Sequence, residues 1–157
     1  MELTGSYTFA ASPAAVWDLL NDPEVIASCL PGCKRLEPLG DDRYRAELKV
    51  AVASVTGDYT GTVTMLDKHP PCSYRLVVEG SGKPGFVKGE ATIELREENE
   101  STVVTVNGQG QVGGLVARVG QRLLGAVSKV MMDRFFKGLN RKITPGDEDA
   151  STTSSES

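Results

Sequence analysis

Residues 112–143 read VGGLVARVGQRLLGAVSKVMMDRFFKGLNRKI, and this stretch decides the fold. Leu115, Val119, Leu123, Val127, Met131, Phe135, Leu139 and Ile143 recur at every fourth position. A four-residue repeat belongs to a helix, so the stretch predicts one long C-terminal helix. At about 3.6 residues per turn the series drifts around the axis, and the apolar stripe spirals. Through Met131 the apolar side chains share one half-cylinder, with Arg118, Gln121, Arg122 and Lys129 opposite or flanking them. Beyond it Met132, Phe135, Phe136, Leu139 and Ile143 gather on roughly the reverse side, away from Arg134, Lys137 and Arg141. The first face should close over a sheet. The second fits either the helix end packing on the first strand, the commoner fate of such a stripe, or a basic amphipathic segment facing a membrane or an acidic partner.

Upstream of this helix the period changes. Leu3, Gly5, Tyr7 and Phe9 alternate with polar residues, which makes residues 2–10 a strand. Ser12-Pro13 is an N-cap followed by proline at the first helical position, opening a short helix with Val16, Trp17, Leu19 and Leu20. Asn21-Asp22-Pro23-Glu24 repeats the signal for a second short helix with Val25, Ile26 and Leu30, which Pro31-Gly32 stops. Turns at Gly40-Asp41-Asp42, Thr56-Gly57-Asp58, His69-Pro70-Pro71, Gly82-Lys83-Pro84-Gly85 and Glu98-Asn99-Glu100 divide residues 33–111 into six strand candidates. The series Tyr44/Ala46/Leu48/Val50/Val52 is the clearest. No helix interrupts them, so the expectation is α+β: a seven-stranded antiparallel sheet, two short helices, and a long helix across it over an apolar cavity. Residues 1–143 form the single domain. Residues 144–157 (TPGDEDASTTSSES) lack large apolar side chains and are expected to be a disordered acidic tail.

Composition narrows the function classes. The chain has 157 residues, 39% hydrophobic and 24% charged, enough for one core-bearing domain. A net charge of −4 argues against nucleic acid, which needs a basic groove. No run approaches the length of a membrane span, no signal peptide precedes the first strand, and three cysteines suit a reducing compartment. The expected location is the cytoplasm.

In this order of elements the chain resembles the helix-grip fold of the START/Bet v 1-like (SRPBCC) superfamily. Gly5, Val16-Trp17, Asp22-Pro23, Cys29-Leu30-Pro31-Gly32-Cys33, Gly113-Gly114-Leu115, Val119-Gly120-Gln121-Arg122-Leu123 and Phe135-Phe136-x-x-Leu139 further resemble the carbon monoxide dehydrogenase G-subunit family, over residues 2 to about 143. The resemblance implies a non-catalytic accessory subunit holding a lipid-like ligand. The guest it suggests is a non-covalently bound prenyl quinone such as menaquinone. Its partner would be a molybdenum hydroxylase-type carbon monoxide dehydrogenase, linked to the inner face of the cytoplasmic membrane or its quinone pool by peripheral contact. The alternatives are a cyclase- or hydrolase-like START enzyme and an assembly factor with an incidental cavity.

Other motifs carry less. Gly108-x-Gly110-x-x-Gly113 and Gly80-x-Gly82-x-x-Gly85 spell a dinucleotide fingerprint, but neither opens a helix that leads to a second parallel strand. Their glycines are read as tight turns and points of close helix approach. Cys29 and Cys33 are spaced C-x3-C with no histidine near in sequence, and His69 sits in a Pro-rich turn. No metal site, no Ser-His-Asp set and no paired carboxylates can be assembled, so no catalytic residue is assigned. The turn Cys29–Cys33 is expected to be a structural cap at the cavity entrance.

The cavity lining is expected to be Trp17, Leu20, Ile26, Leu30, Tyr44, Leu48, Tyr59, Val63, Leu76 and Phe86, with Leu115, Val119, Leu123, Val127 and Met131 from the helix. Underfilled volume is expected near Gly57, Gly61, Gly89, Gly120 and Gly125. Tyr44, Tyr59 and Gln111 are the candidate polar anchors, because a buried ligand carbonyl needs a donor.

Overall fold

The computed structural model describes residues 1–51 and 56–143. Val52, expected to continue the third strand, and the tail 144–157 lie outside the described residues. The elements are β1 (Glu2–Phe9), α1 (Pro13–Leu20), α2 (Pro23–Cys29), β2 (Cys33–Gly40), β3 (Arg43–Val50), β4 (Gly57–His69), β5 (Ser73–Gly82), β6 (Gly85–Glu98), β7 (Ser101–Gly113), a 3-10 segment (Gly114–Val119) and α3 (Gln121–Ile143). All strands join one antiparallel sheet in the order β1-β7-β6-β5-β4-β3-β2. Every pairing but β1 with β7 is between chain neighbours; β1 and β2 are separated along the chain by α1 and α2.

The helix starts follow from their caps. Ser12 Oγ accepts the Ala15 amide at 3.2 Å, and the Asp22 carboxylate accepts the Glu24 amide at 2.9 Å, each before a proline at the first turn. The Cys29–Cys33 turn is backbone-built: Cys33 N donates to Leu30 O, and Lys49 N donates to Gly32 O. Gly32 has φ +76 and lies against the Lys49 carbonyl, a place only glycine takes without strain.

The single helix expected from Val112 to Ile143 is a correction. β7 continues through Gly113, a 3-10 segment follows, and Gly120, with φ +90, breaks the path before α3 begins. The four-residue repeat is written in the sequence and runs through the break, but a 3-10 segment turns every three residues, so side chains four apart there do not share a side. Phase is lost there. Val116 is buried, whereas Leu115, which the repeat selects, is 60% exposed.

The second apolar face of α3 packs. Phe136 is 5% exposed and stacks on Tyr7 at 4.3 Å, with Phe9 tilted against it and Phe135 edge-on. Leu139 is fully buried. With Trp17, Leu20, Cys29, Tyr74, Leu95 and Val104 these residues form the main core between β1, the short helices and the sheet. A smaller cluster around Val116, Leu124 and Val127 occupies the other end of the inner face. Burying each such side chain contributes about 1.5–3 kcal/mol.

Candidate functional site

Direct cross-strand partners share a face of a sheet, so the pairing register assigns every strand position. Tyr44, Val63, Val78, Gly89 and Gly110 form one row across the inner face. Ala46, Gly61, Gly80, Val87 and Val112 form the next, and Leu48, Tyr59 and Gly82 a third. These rows run from the main core, on which Tyr44 packs, to the smaller cluster, on which Tyr59 and Val112 pack.

Most glycines of the rows are not turn residues. Gly61, Gly80, Gly89, Gly108 and Gly110 stand inside strands, which corrects the turn reading for Gly80, Gly108 and Gly110, while Gly82 and Gly85 flank the β5–β6 turn as expected. A Cβ built on Gly80 would meet only strand backbone, Thr60 O at 3.7 Å and Gly61 Cα at 3.9 Å. One on Gly89 would meet only Gln109 O at 3.3 Å and Gly110 Cα at 3.7 Å. No side chain from α3 reaches within 4 Å of either position. Leu48, Val63 and Val78 beside them are half-buried, and among the described residues they join neither apolar cluster.

The structure sorts the expected lining into groups. Tyr44, Leu48, Tyr59, Val63 and Leu76 share the inner face as anticipated. Val119, Leu123, Val127 and Met131 belong to the smaller cluster at its end. Trp17 and Leu20 are core: the indole stands edge-on to Tyr74 at 5.4 Å. Ile26 packs half-buried on that core, and Leu30 is the half-buried C-cap of α2.

Three positions need correction. Phe86 pairs with Gly113 on the opposite face, 44% exposed, because Ile93 and Leu95 pointing inward force Val87 and Gly89 inward. Leu115 points out, as described above. Gln111 pairs with Lys88 on the outer face and cannot anchor an inner-face ligand. Nor does Gly120 border unfilled volume: it is an exposed joint where positive φ would strain any side chain. The expected lining left out Ala46, although it stands in the Tyr44/Ala46/Leu48 series, and also Val78, Gly80, Val87, Val112, Val116 and Leu124. The first five could have been found by extending alternation inward from the turns, while the last two required the helix phase.

Polar chemistry on the inner face is thin. Burial raises the Tyr59 phenol above its ordinary pKa, and the Cys33 thiol likewise, so both stay protonated donors at neutral pH. Tyr74 is raised strongly for the same reason. The cysteines are free, and among the described residues no three His, Cys, Asp or Glu side chains are placed to hold a metal. His69 is exposed at the end of β4. Two shallow, solvent-open grooves lie mainly on the outer face, one edged by Glu2, Thr4, Glu90, Asn107 and Gln109, the other by Arg45, Thr60, Glu79, Phe86 and Lys88. The first is mainly polar; the second is more apolar, with Phe86, Val87, Gly61 and Gly80 among its walls, but it is rimmed by Arg45, Glu79 and Lys88 and open to solvent. The inner face is therefore the better candidate, as an apolar surface with hydroxyl donors and no acid-base pair.

Comparison with known proteins agrees with this fold. The family model for the carbon monoxide dehydrogenase G subunit (CoxG) matches residues 5–144. None of the curated proteins matches the chain. Among solved structures, a conserved protein from Geobacillus kaustophilus is 38% identical, with 92% of this chain and 96% of that one covered and a TM-score of 0.89. A START superfamily protein from Mycobacterium smegmatis is 13% identical over 90% of this chain and 95% of its own, with a TM-score of 0.72. A Thermus thermophilus protein is 16% identical over 91% and 97%, with a TM-score of 0.68. The last two support the START-like fold alone. Among the described residues no helix is long and apolar enough to cross a membrane.

Proposed function

The chain belongs to the carbon monoxide dehydrogenase G-subunit family, and from that premise we propose that it is a non-catalytic accessory protein holding a long, mostly apolar molecule on the inner face. The observation that carries this reading is the unfilled glycine band. Gly80 and Gly89 have no side chain above them, and half-buried Leu48, Val63 and Val78 line the same rows. Apolar volume without polar partners stays dry and takes apolar guests. Tyr59, and Tyr44 across the sheet, supply hydroxyls for one or two ligand oxygens. A prenyl quinone has this chemistry, with a long apolar tail and two carbonyls. The family's name supports a carbon monoxide dehydrogenase as the partner; in this reading it is the molybdenum-containing enzyme, linked by the protein to the membrane or its quinone pool.

The test is native mass spectrometry of protein equilibrated with a bacterial lipid extract. The expected result is a bound apolar species in the wild type. Gly80→Leu, which fills the band at a position of ordinary backbone conformation, loses it while keeping the fold. Equal retention by this variant overturns the placement, and no bound species in either protein overturns the reading.

A further inference from the structure

The main core holds two polar groups that the glycine rows do not use. Trp17 of α1 and Tyr74 of β5 are 8% and 4% exposed, and their rings meet at right angles with centroids 5.4 Å apart. A buried indole N–H or phenol O–H ordinarily finds a hydrogen-bond partner. Among the described residues neither of these has one. Elsewhere the fold bonds its hydroxyls: buried Thr102 donates through Oγ1 to the Ala11 carbonyl at 2.7 Å, and Tyr7 Oη donates to Asp133 at 2.6 Å. Burial raises the Tyr74 pKa with no hydrogen bond acting beside it, so the phenol stays a neutral donor. Among the described residues that are not exposed, the one unpartnered side-chain polar atom sealed from water-sized contact is Asn21 Oδ1. The Trp17 and Tyr74 donors are therefore not sealed, and each borders a gap that a small polar group reaches. Phenylalanine at either place would fill the core with no polar group to desolvate.

The pair continues the inner face. Tyr74, Leu76 and Val78 alternate onto that face of β5, and Tyr74 stands four residues, about 13 Å, from the row of Val78 and Gly89. The side chains between them, Leu76 and Ala91, are apolar. We propose that Trp17 and Tyr74 form the subsite for the polar end of the inner-face molecule, their N–H and O–H donating to an uncharged acceptor oxygen such as a ketone or quinone carbonyl. The subsite rests on the apolar-ligand reading and gives the bound molecule a direction, polar end against the main core and chain over the glycine band. A carboxylate or phosphate would need a cation to offset its desolvation, and two neutral rings supply none. A carbonyl needs only donors. Tyr59 packs on the smaller cluster, at the other end of the face, and takes no part in this contact.

The experiment titrates the full chain with menadione, a tailless naphthoquinone, and with 2-methylnaphthalene, the same ring skeleton without its oxygens. Equilibrium dialysis gives both affinities. Trp17 is the only tryptophan, so loss of its emission reports a quinone beside the pair. Menadione is expected to bind the wild type and quench Trp17. Tyr74→Phe should weaken menadione about ten-fold, the scale of one hydrogen bond to a buried oxygen, and change 2-methylnaphthalene less than two-fold. The same variant without ligand should melt no lower than wild type, because no protein group loses a partner. A midpoint lower by more than about 4 °C would make the hydroxyl structural and overturn the proposal. Equal weakening of the two probes overturns it, as does menadione bound by dialysis with Trp17 emission unchanged; both leave the apolar-ligand reading standing. Binding of neither probe by the wild type overturns that reading and the subsite with it.

Discussion

Glycine does opposite things at one end of the inner face and in its middle. Under the C-terminal half of α3 it permits contact. A Cβ on Gly5 would meet Met132 Cε at 2.8 Å, and one on Gly138 would meet Cys29 Sγ at 3.2 Å and Cβ at 3.3 Å. There the missing side chain lets helix and neighbour close up, and the result is a sealed core. In the middle rows, Gly80 and Gly89 have only strand backbone near the same position. No side chain has come down to fill what the glycine vacated. An inner-face glycine thus reports either close packing or vacancy, and only the element above it decides which.

The largest effects should fall on the packed end. Phe136→Ala removes a ring stacked on Tyr7 and tilted on Phe9, and should cost about 4 kcal/mol. A urea titration showing less than half of that would mean the end of α3 is loosely held. Gly138→Leu should cost about 2–3 kcal/mol by forcing α3 away from α2, which thermal melting would register. The same addition at Gly80 should leave stability within about 1 kcal/mol of wild type, because it meets no side chain. Equal losses at the two glycines would erase the contrast on which the functional reading stands. Val63→Ala, at a half-buried position outside both clusters, should cost less than Leu20→Ala in the sealed core, about 1 against at least 2 kcal/mol.

The smallest effect concerns the exposed clasp between β1 and α3. Tyr7 Oη donates to Asp133 at 2.6 Å and Lys129 Nζ donates to the same oxygen at 2.9 Å. Burial works to raise the pKa of Asp133, but these hydrogen bonds and the ammonium charge outweigh it, and the net is a lowered value. Ionised Asp133 therefore favours the fold: its contribution is present above the unfolded carboxylate pKa of about 4 and lost as pH falls through the lower folded value. Tyr7 is raised, first by burial and then by Asp133, so its neutral form favours the fold. That contribution is present below the unfolded phenol pKa of about 10 and lost as pH rises beyond it. Tyr7→Phe should cost no more than about 1 kcal/mol at neutral pH, since solvent screens the clasp. It should also flatten the stability profile at both extremes. Chemical denaturation across pH checks this, and a profile superimposable on wild type would mean the clasp contributes nothing.

Much of the architecture was legible because it depends on local periodicity. Alternation and turn residues marked the strands, two proline-bearing caps marked α1 and α2, and the apolar repeat marked α3. Tyr44, Leu48, Tyr59, Val63 and Leu76 were placed on one face by that alternation, and the pairing agrees. Phe86 failed because it follows a turn, where alternation has no earlier residue to take its phase from; the inward Ile93 and Leu95 set it from the far end of β6. Leu115 failed because a 3-10 segment and the Gly120 joint reset the helical phase without interrupting the repeat. The sequence by itself determined which residues could build a sheet, a core and a covering helix, since those choices follow from side-chain size, polarity and spacing along the chain. Whether a glycine makes contact or leaves space, and whether the second face of α3 is buried, only the tertiary structure decided, because both depend on which atoms from distant segments arrive above them.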